Sequence, residues 1–394
     1  MIEIRGKRNS AIVYADKIDK ETKTQLSGLL REDAYADSKI RIMPDVHTGR
    51  GTVVGTTMTV GKRLSPCIMG VDIGCGMLGV FIEPCEIDYQ KLDGIVHDNI
   101  PCGSKVHKIP RTDDIELDNL YCGTAIDLER AYVSLGTLGG GNHFIELDKS
   151  EKGSYMLLIH SGSRQLGSDV ALYYRDKAYR YQCKKARRTV RSSHYSRRGE
   201  DEYYTKSARR EDRSKLHVKA DTALLEGELL EKYIHDIDIV SCFAELNRKI
   251  IADTICDRMG FKVIDSFSCV HNYIDTDNMI LRKGAISARQ GERVIIPLNM
   301  RDGVILGVGK GNPDWNFSAP HGAGRICSRT DAKYAYTVED FQREMQGIYT
   351  TTANEGSIDE CPMAYKAPAT IIEKIKDTVE ITDILKPVYN YKSC

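Results

Sequence analysis

The segment His321-Gly322-Ala323-Gly324-Arg325 places an imidazole ahead of small residues, with an arginine four positions on. Small residues let a bulky phosphate approach the ring, and backbone N–H groups there can bind its oxygens. An imidazole nitrogen can attack phosphorus and carry the group as a phosphoramidate. Taken alone, the pentapeptide also fits a tight glycine turn with a surface histidine. A second set begins with Asp72 and, three residues later, Cys75. Three histidines follow in strand-end contexts: His143 after Gly-Gly-Gly-Asn, His160 closing Tyr-Met-Leu-Leu-Ile-His, and His271 beyond an expected strand at Val263–Phe267. One carboxylate, one thiolate and three imidazoles suffice for two metal ions about 3.5–4 Å apart, with sulfur shared between them. This mixed set suits zinc and manganese alike. Each histidine alone also fits a structural role.

Ser161-Gly162-Ser163-Arg164 follows His160 directly. Its hydroxyls and guanidinium suit a terminal phosphate, or a capped strand-to-helix turn. Gly74-Cys75-Gly76-Met77-Leu78-Gly79 matches G-x-G-x-x-G in form, but that fingerprint needs a helix next. Met77–Ile82 reads as strand and then meets a proline, which excludes a dinucleotide fold. The chain has neither a P-loop nor a G-x-S-x-G elbow.

Elements must bring these residues together. Ile2–Ile4, Ala11–Tyr14, Ile40–Met43 and Thr52–Val60 read as strands, the last two flanking a turn-rich PDVHTGRG loop. Ile68–Asp72, Met77–Ile82, Phe144–Leu147 and Tyr155–His160 read the same way. Helices are expected at Lys17–Arg31, Tyr89–His97 and Glu116–Val133, and through most of 169–258. Strands return at Val263–Phe267, Met279–Arg282, Arg293–Pro297 and Val304–Val308, with helices at Val338–Gln346 and Ala369–Thr378. Candidate residues run from Asp72 to Lys392, which favours an α/β protein of mixed α and β elements. The expected unit is one interwoven domain over 1–394, with sheets forming the core of the site and helices around it.

The 394 residues are 41% hydrophobic and 28% charged, the balance of an ordinary globular protein. No run approaches the roughly 18 apolar residues of a membrane span, and the polar start MIEIRGKRNS has no signal region. A cytoplasmic location is expected. The 12 cysteines form no C-x-x-C pair, so most are read as free thiols in a reducing compartment. Net charge is zero but uneven: Arg175–Lys215 holds 15 Lys/Arg against 6 Asp/Glu. Tyr179, Tyr181, Tyr195, Tyr203 and Tyr204 lie among them. A basic helical and loop segment at about 170–217, with a tip near Ser192–Glu200, suits phosphate contacts and base stacking. It suits a solvated helix equally.

The ordered segments MPDVHTGRG, GVDIGCGM, LGTLGGGNHFIEL, IHSGSRQLG, His271-Asn272, RKGA, HGAGR and CPMAYK closely resemble the RtcB 3′-phosphate RNA ligases. They run from about residue 40 to the end of the chain. The resemblance implies a GTP- and Mn²⁺-dependent ligase joining RNA 2′,3′-cyclic or 3′-phosphate ends to 5′-hydroxyl ends, in tRNA processing or RNA repair. By position, His321 looks like the residue that accepts GMP. Asp72, Cys75, His143, His160 and His271 look like the ligands of two Mn²⁺ ions, with Cys75 shared. Asn142, Glu146 (facing guanine), Asn272, Pro297, Leu298, Asn299, Met300, Gly322, Ala323, Gly324, Tyr365 and Lys392 look like the nucleotide pocket. Arg164 looks like an RNA-phosphate contact, and an archease-like activator is an implied partner.

Departures from the family pattern sit at the nucleotide. Leu298-Asn299 stands where Gly-Ser is usual, Val304 replaces a serine, and Thr48 and Arg50 replace aromatic residues. They leave nucleophile and metal ligands intact, bear on guanine selectivity, and point to a specialised repair paralogue. The competing readings are an enzyme that caps 3′-phosphate ends without sealing, a non-catalytic RNA-binding protein, and a dinuclear phosphoesterase. The last has no use for HGAGR.

Overall fold

The computed structural model describes residues 1–112, 114–197 and 218–393, the side chains of 187–197 excepted. Seventeen strands lie among the described residues. Those of the first half are β1 (Ile2–Arg5), β2 (Ser10–Val13), β3 (Ile40–His47), β4 (Val54–Thr59), β5 (Arg63–Leu64), β6 (Gly76–Ile82), β7 (Phe144–Lys149), β8 (Tyr155–Ser161) and β9 (Leu225–Glu226). Then come β10 (Val263–Val270), β11 (Asn272–Asp275), β12 (Ile280–Lys283), β13 (Ala285–Ser287), β14 (Arg293–Asn299), β15 (Gly303–Gly309), β16 (Ser318–Pro320) and β17 (Val379–Lys392).

Two sheets carry the architecture. One has six strands in the order β1-β2-β3-β4-β12-β11, the other seven in the order β10-β6-β8-β7-β17-β15-β14. β10 belongs to the larger sheet and β11 to the smaller, so the chain passes between them at residue 271 and knits them into one α/β unit. β8 lies between β6 and β7 and all seven of its residues are buried, as a near-continuous apolar run in a central strand requires.

The larger sheet curls. On one face, Met77, Met156 and Leu158 pack with Ile295, Val304 and Ile305 from the far end of the same sheet. A Cβ at Gly79 would lie 2.9 Å from both Ile295 Cδ1 and Met156 Sδ, so the missing side chain leaves room for these two side chains to pack across the curl. On the other face, Leu78, Val80, Leu157 and Ile159 pack against Ile251 and Ile255 of the long helix Glu228–Met259. That helix closes at Gly260, whose φ of 76° is the left-handed stop that glycine tolerates best.

Several expectations change in the structure. Ile68–Asp72 is not a strand: Pro66 opens a short helix, Pro66–Met69, in which its fixed φ suits the first turn. Glu116–Val133 is two 3₁₀ turns and a helix only over Leu128–Ser134, started where Asp127 accepts the Arg130 N–H. The expected PDVHTGRG loop begins as strand, since β3 runs through His47. β17 and β11 were not expected as strands; β17 spans 14 residues across Pro387, which a register shift between Pro387 and Tyr389 accommodates. The middle is helical as expected, over Arg164–Arg197 and Glu228–Met259. Of the expected tip near Ser192–Glu200, the backbone through Arg197 continues the helix; the side chains of Arg187, Arg188, Tyr195 and Arg197, and residues Arg198, Tyr203 and Tyr204, lie outside the described residues.

Candidate active site

Asp72 and Cys75 stand in the turn before β6, His143 precedes β7, His160 closes β8, and His271 occupies the crossing from β10 to β11. The fold brings all five together. One ligand atom each from Cys75, His160 and His271 lies within 4.8 Å of the others, and the same holds for Asp72, Cys75 and His143. Two triads therefore meet at the Cys75 sulfur, which lies 3.3 Å from His160 Nε2 and 3.5 Å from His143 Nε2. Close approach depends on Gly162, where a Cβ would come within 2.7 Å of Asp72 Oδ1.

The tautomers suit metal binding. His143 Nδ1 donates to the Leu138 carbonyl at 2.7 Å and His160 Nδ1 to the Asn142 carbonyl at 3.1 Å, which leaves each Nε2 as an acceptor facing sulfur. His271 is buried, and its Nδ1 has no hydrogen-bond partner. Burial pushes all three imidazoles below their ordinary range, so they are neutral ligands at physiological pH. Burial, helped by Asp72, pushes the Cys75 thiol upward, and a bound cation reverses that preference. The donor set and the orphaned His271 nitrogen fit two divalent ions, with Cys75 in reach of both.

His321 follows β16 and its ring lies 4.9 Å from that of His271. Asp45 of β3 accepts both the His321 Nδ1–H, at 2.7 Å, and the His321 backbone N–H, at 3.2 Å, through the same Oδ2. The carboxylate fixes the ring and leaves Nε2 with its lone pair. Gly324 allows this docking: its φ is +75°, and a Cβ there would meet the Asp45 backbone at 2.6–3.0 Å. Two residues before His47 in sequence, Asp45 lies in the quoted PDVH motif but 276 positions from His321, so no local spacing announces the pair.

One cavity adjoins both groups, lined by His160 and His321 among others. It includes Asn142, Glu146, Pro297, Leu298, Asn299, Met300, Gly322, Ala323, Gly324, Tyr365 and Lys392 of the expected nucleotide pocket. Asn272 does not line it; its Oδ1 accepts the Gly284 N–H at 2.9 Å and secures the seam between β11 and β12. Arg164 is also outside. Its guanidinium donates to Thr137 Oγ1 and to the Gly103 carbonyl, both at 2.7 Å, beside the Gly139 turn that also packs on His143. The Ser161 and Ser163 hydroxyls are spent on the carbonyls of Leu138 and Ile73, and are not offered to an anion.

Glu360 is a centre the sequence reading missed. Lys392 Nζ lies 2.6 Å from its carboxylate, Arg325 3.3 Å, and the Tyr365 hydroxyl donates to it at 2.7 Å. Burial alone would raise Glu360, but Lys392 and Arg329 outweigh it and hold the group at about 2. Asn390, also missed, borders the cavity and donates its amide to Glu146, while its Oδ1 is buried without a hydrogen-bond partner. Asn299 is bound within its own turn by Asp302 and Arg301, and Val304 is buried in the apolar core.

A family model described as tRNA-splicing ligase RtcB matches residues 123–393. The RNA-splicing ligase RtcB of Escherichia coli (strain K12) is 28% identical over 389 residues, covering 89% of this chain and 88% of that protein. The tRNA-splicing ligase RtcB of Aeropyrum pernix is 26% identical over 462 residues, covering 91% and 89%. No helix among the described residues is long and apolar enough to cross a membrane. With most of its length matched and the thiolate, imidazoles and glycine-flanked histidine gathered at one cavity, the chain belongs to the RtcB family of ligases.

Proposed function

We propose that this chain is a GTP-dependent RNA ligase that joins a 3′-phosphate or 2′,3′-cyclic phosphate end to a 5′-hydroxyl end through a His321–GMP intermediate, with Mn²⁺ as its metal. The observation that carries this reading is the His321–Asp45 pair, set with its ring 4.9 Å from the His271 ring and opening on the cavity. A dinuclear phosphoesterase needs no such nucleophile. Asp72, Cys75 and His143 would hold one cation, and Cys75, His160 and His271 the other. Bound there, divalent cations supply charge withdrawal from triphosphate and RNA phosphate oxygens.

The chain's own residues do the rest. His321 Nε2 uses its lone pair to form an N–P bond to the α-phosphorus of GTP as the P–O bond to the β-phosphate breaks and pyrophosphate leaves. Asp45 holds the ring proton on Nδ1 throughout and balances the positive charge that develops. A 2′,3′-cyclic end is first opened by water, which adds to phosphorus as the P–O2′ bond breaks and leaves a 3′-phosphate. A 3′-phosphate oxygen then forms a P–O bond to GMP as the His321 N–P bond breaks. The 5′-hydroxyl attacks that activated phosphorus, gives up its proton, and GMP departs. Arg164, beside His143, is placed to meet an RNA phosphate only if its present bonds to Thr137 Oγ1 and the Gly103 carbonyl are exchanged.

Guanine selection rests on an acceptor. The Leu298 side chain offers no hydrogen bond and Val304 lies in the apolar core, which leaves Glu146 as the acceptor on the cavity wall for the base edge. The test is incubation of the protein with α-labelled GTP and Mn²⁺, then denaturing electrophoresis. An acid-labile, alkali-stable label is expected, lost in His321→Ala; label that persists on that variant overturns the nucleophile assignment. End-defined RNA in the same reaction separates a sealed product from a merely capped one.

A further inference from the structure

Glu146 and Asp148 lie two residues apart on β7 and so project from the same face of the strand. Both are buried, at 2% and 0% exposed. Glu146 lines the nucleotide cavity, while Asp148, the next same-face position along β7, does not. Its neighbours in register are Met156 on β8 and Pro387 on β17. Neither side chain carries a hydrogen-bond donor, and Pro387 lacks an amide hydrogen as well. Neither oxygen of Asp148 meets a donor from any described residue. The polar group it faces is the Glu146 carboxyl.

Two facing carboxyls hydrogen-bond only when one carries a proton, and in an apolar setting both cannot ionise together. Glu146 has what an anion needs: the Asn390 amide donates to it, and Lys392 lies on the same pocket wall. Asp148 has only Glu146. The proton therefore belongs to Asp148 and the charge to Glu146.

We infer that Asp148 is a buried positioning acid, donating its proton to the hidden side of Glu146 so that this carboxylate faces the cavity as a fixed acceptor and selects purines bearing an N1–H over adenine. The selectivity half rests on the nucleotide reading above. Guanine and hypoxanthine present N1–H to such an acceptor, whereas adenine presents a lone pair that the carboxylate repels. Burial raises Glu146 to about 7 and Asp148 well above the carboxylate range, the order that places the proton on Asp148.

The test uses the full chain with Mn²⁺ and compares labelling by GTP, ITP and ATP in the wild type, Asp148→Asn and Asp148→Leu. Leucine suits the apolar row beside Met156 and keeps the fold, while asparagine preserves a donor toward Glu146. Asp148→Leu is expected to lower the GTP-over-ATP preference about tenfold, the worth of one charge-assisted hydrogen bond, through KM with the saturated rate retained. Asp148→Asn is expected to restore the preference, which a purely structural role would not require. Infrared spectroscopy of the wild type at neutral pH should show a protonated-carboxyl band that Asp148→Asn removes. Absence of that band, or an unchanged preference in Asp148→Leu, overturns the inference. A band present with no labelling from any nucleotide supports the proton pairing and overturns the nucleotide reading instead.

Discussion

At His321 the chemistry turns on which ring nitrogen is free. Asp45 Oδ2 takes the Nδ1–H and the backbone N–H together, so ring and backbone move as one. Asp45→Ala should therefore lower the rate of GMP capture about a hundredfold or more, because the lone pair loses its aim and the developing cation its counter-charge. Rapid-quench measurement of the labelled protein checks this; a loss confined to metal content would place Asp45 among the metal ligands instead. Residues of this kind divide sharply by legibility. His321, Cys75 and the three buried histidines stand out in sequence because thiolates and imidazoles in glycine-rich surroundings have few other uses. Asp45, Glu360, Asn390 and Asp148 are common residue types whose meaning comes from partners that no local spacing announces: Asp45 and Asn390 meet residues more than two hundred positions away, Glu360 meets side chains 5 to 35 positions away on either side, and Asp148 depends on strand register.

At the scale of the element, β17 carries Asn390 and Lys392 onto the face shared with Glu146 and so closes one wall of the cavity. Its sequence hides this: Pro387 argues against a central strand, and only the register shift beside it lets pairing with β7 resume. The short helix at Pro66 misled for the opposite reason, an apolar run whose length fits strand and helix alike. The Lys392–Glu360 pair ties β17 to the 3₁₀ turn at Glu355–Glu360 with both side chains 3% exposed. Glu360→Gln should cost about 3–5 kcal/mol at neutral pH, since it leaves a buried ammonium without its anion. Glu360 is held at about 2, below its unfolded value, so its stabilisation is fully present above roughly pH 4.5 and is lost as pH falls toward 2. Glu146, raised to about 7, has the opposite slope: its burial costs stability as pH rises from roughly 4.5 through 7. Denaturant titrations of the wild type and Glu360→Gln across pH 3–7 check both, and an unchanged acid limb in the variant would assign that limb to other carboxylates.

For the whole molecule, zero net charge conceals a surplus of nine positive charges between Arg175 and Lys215, balanced elsewhere in the chain. RNA affinity should follow this separation. Neutralising Arg187, Arg188, Arg197 and Arg198 together should weaken RNA binding and flatten its dependence on salt by up to about four phosphate contacts. Labelling of His321 by GTP should be unaffected. Filter binding across a salt series checks the first part; an unchanged slope would make the stretch a solvated surface. Composition shows such a stretch plainly but does not say which side chains face RNA, because charge carries no period that a packed face would impose.

His271 stands where the chain leaves one sheet for the other, and its neighbours clasp that seam. Its own N–H donates to the Cys75 carbonyl at 2.9 Å, Gly74 N–H to the Asn272 carbonyl at 2.7 Å, and Ala285 N–H to the His271 carbonyl at 3.2 Å. These amides exchange with deuterium when the segments at this crossing part. A cation held by Cys75, His160 and His271 opposes that parting, since it binds the closed form alone. Addition of Mn²⁺ should therefore slow exchange at residues 74, 271 and 285 far more than at the β1–β2 hairpin, which no candidate ligand touches. The site would then act as a rivet whose occupancy can be timed in protons, without any substrate present.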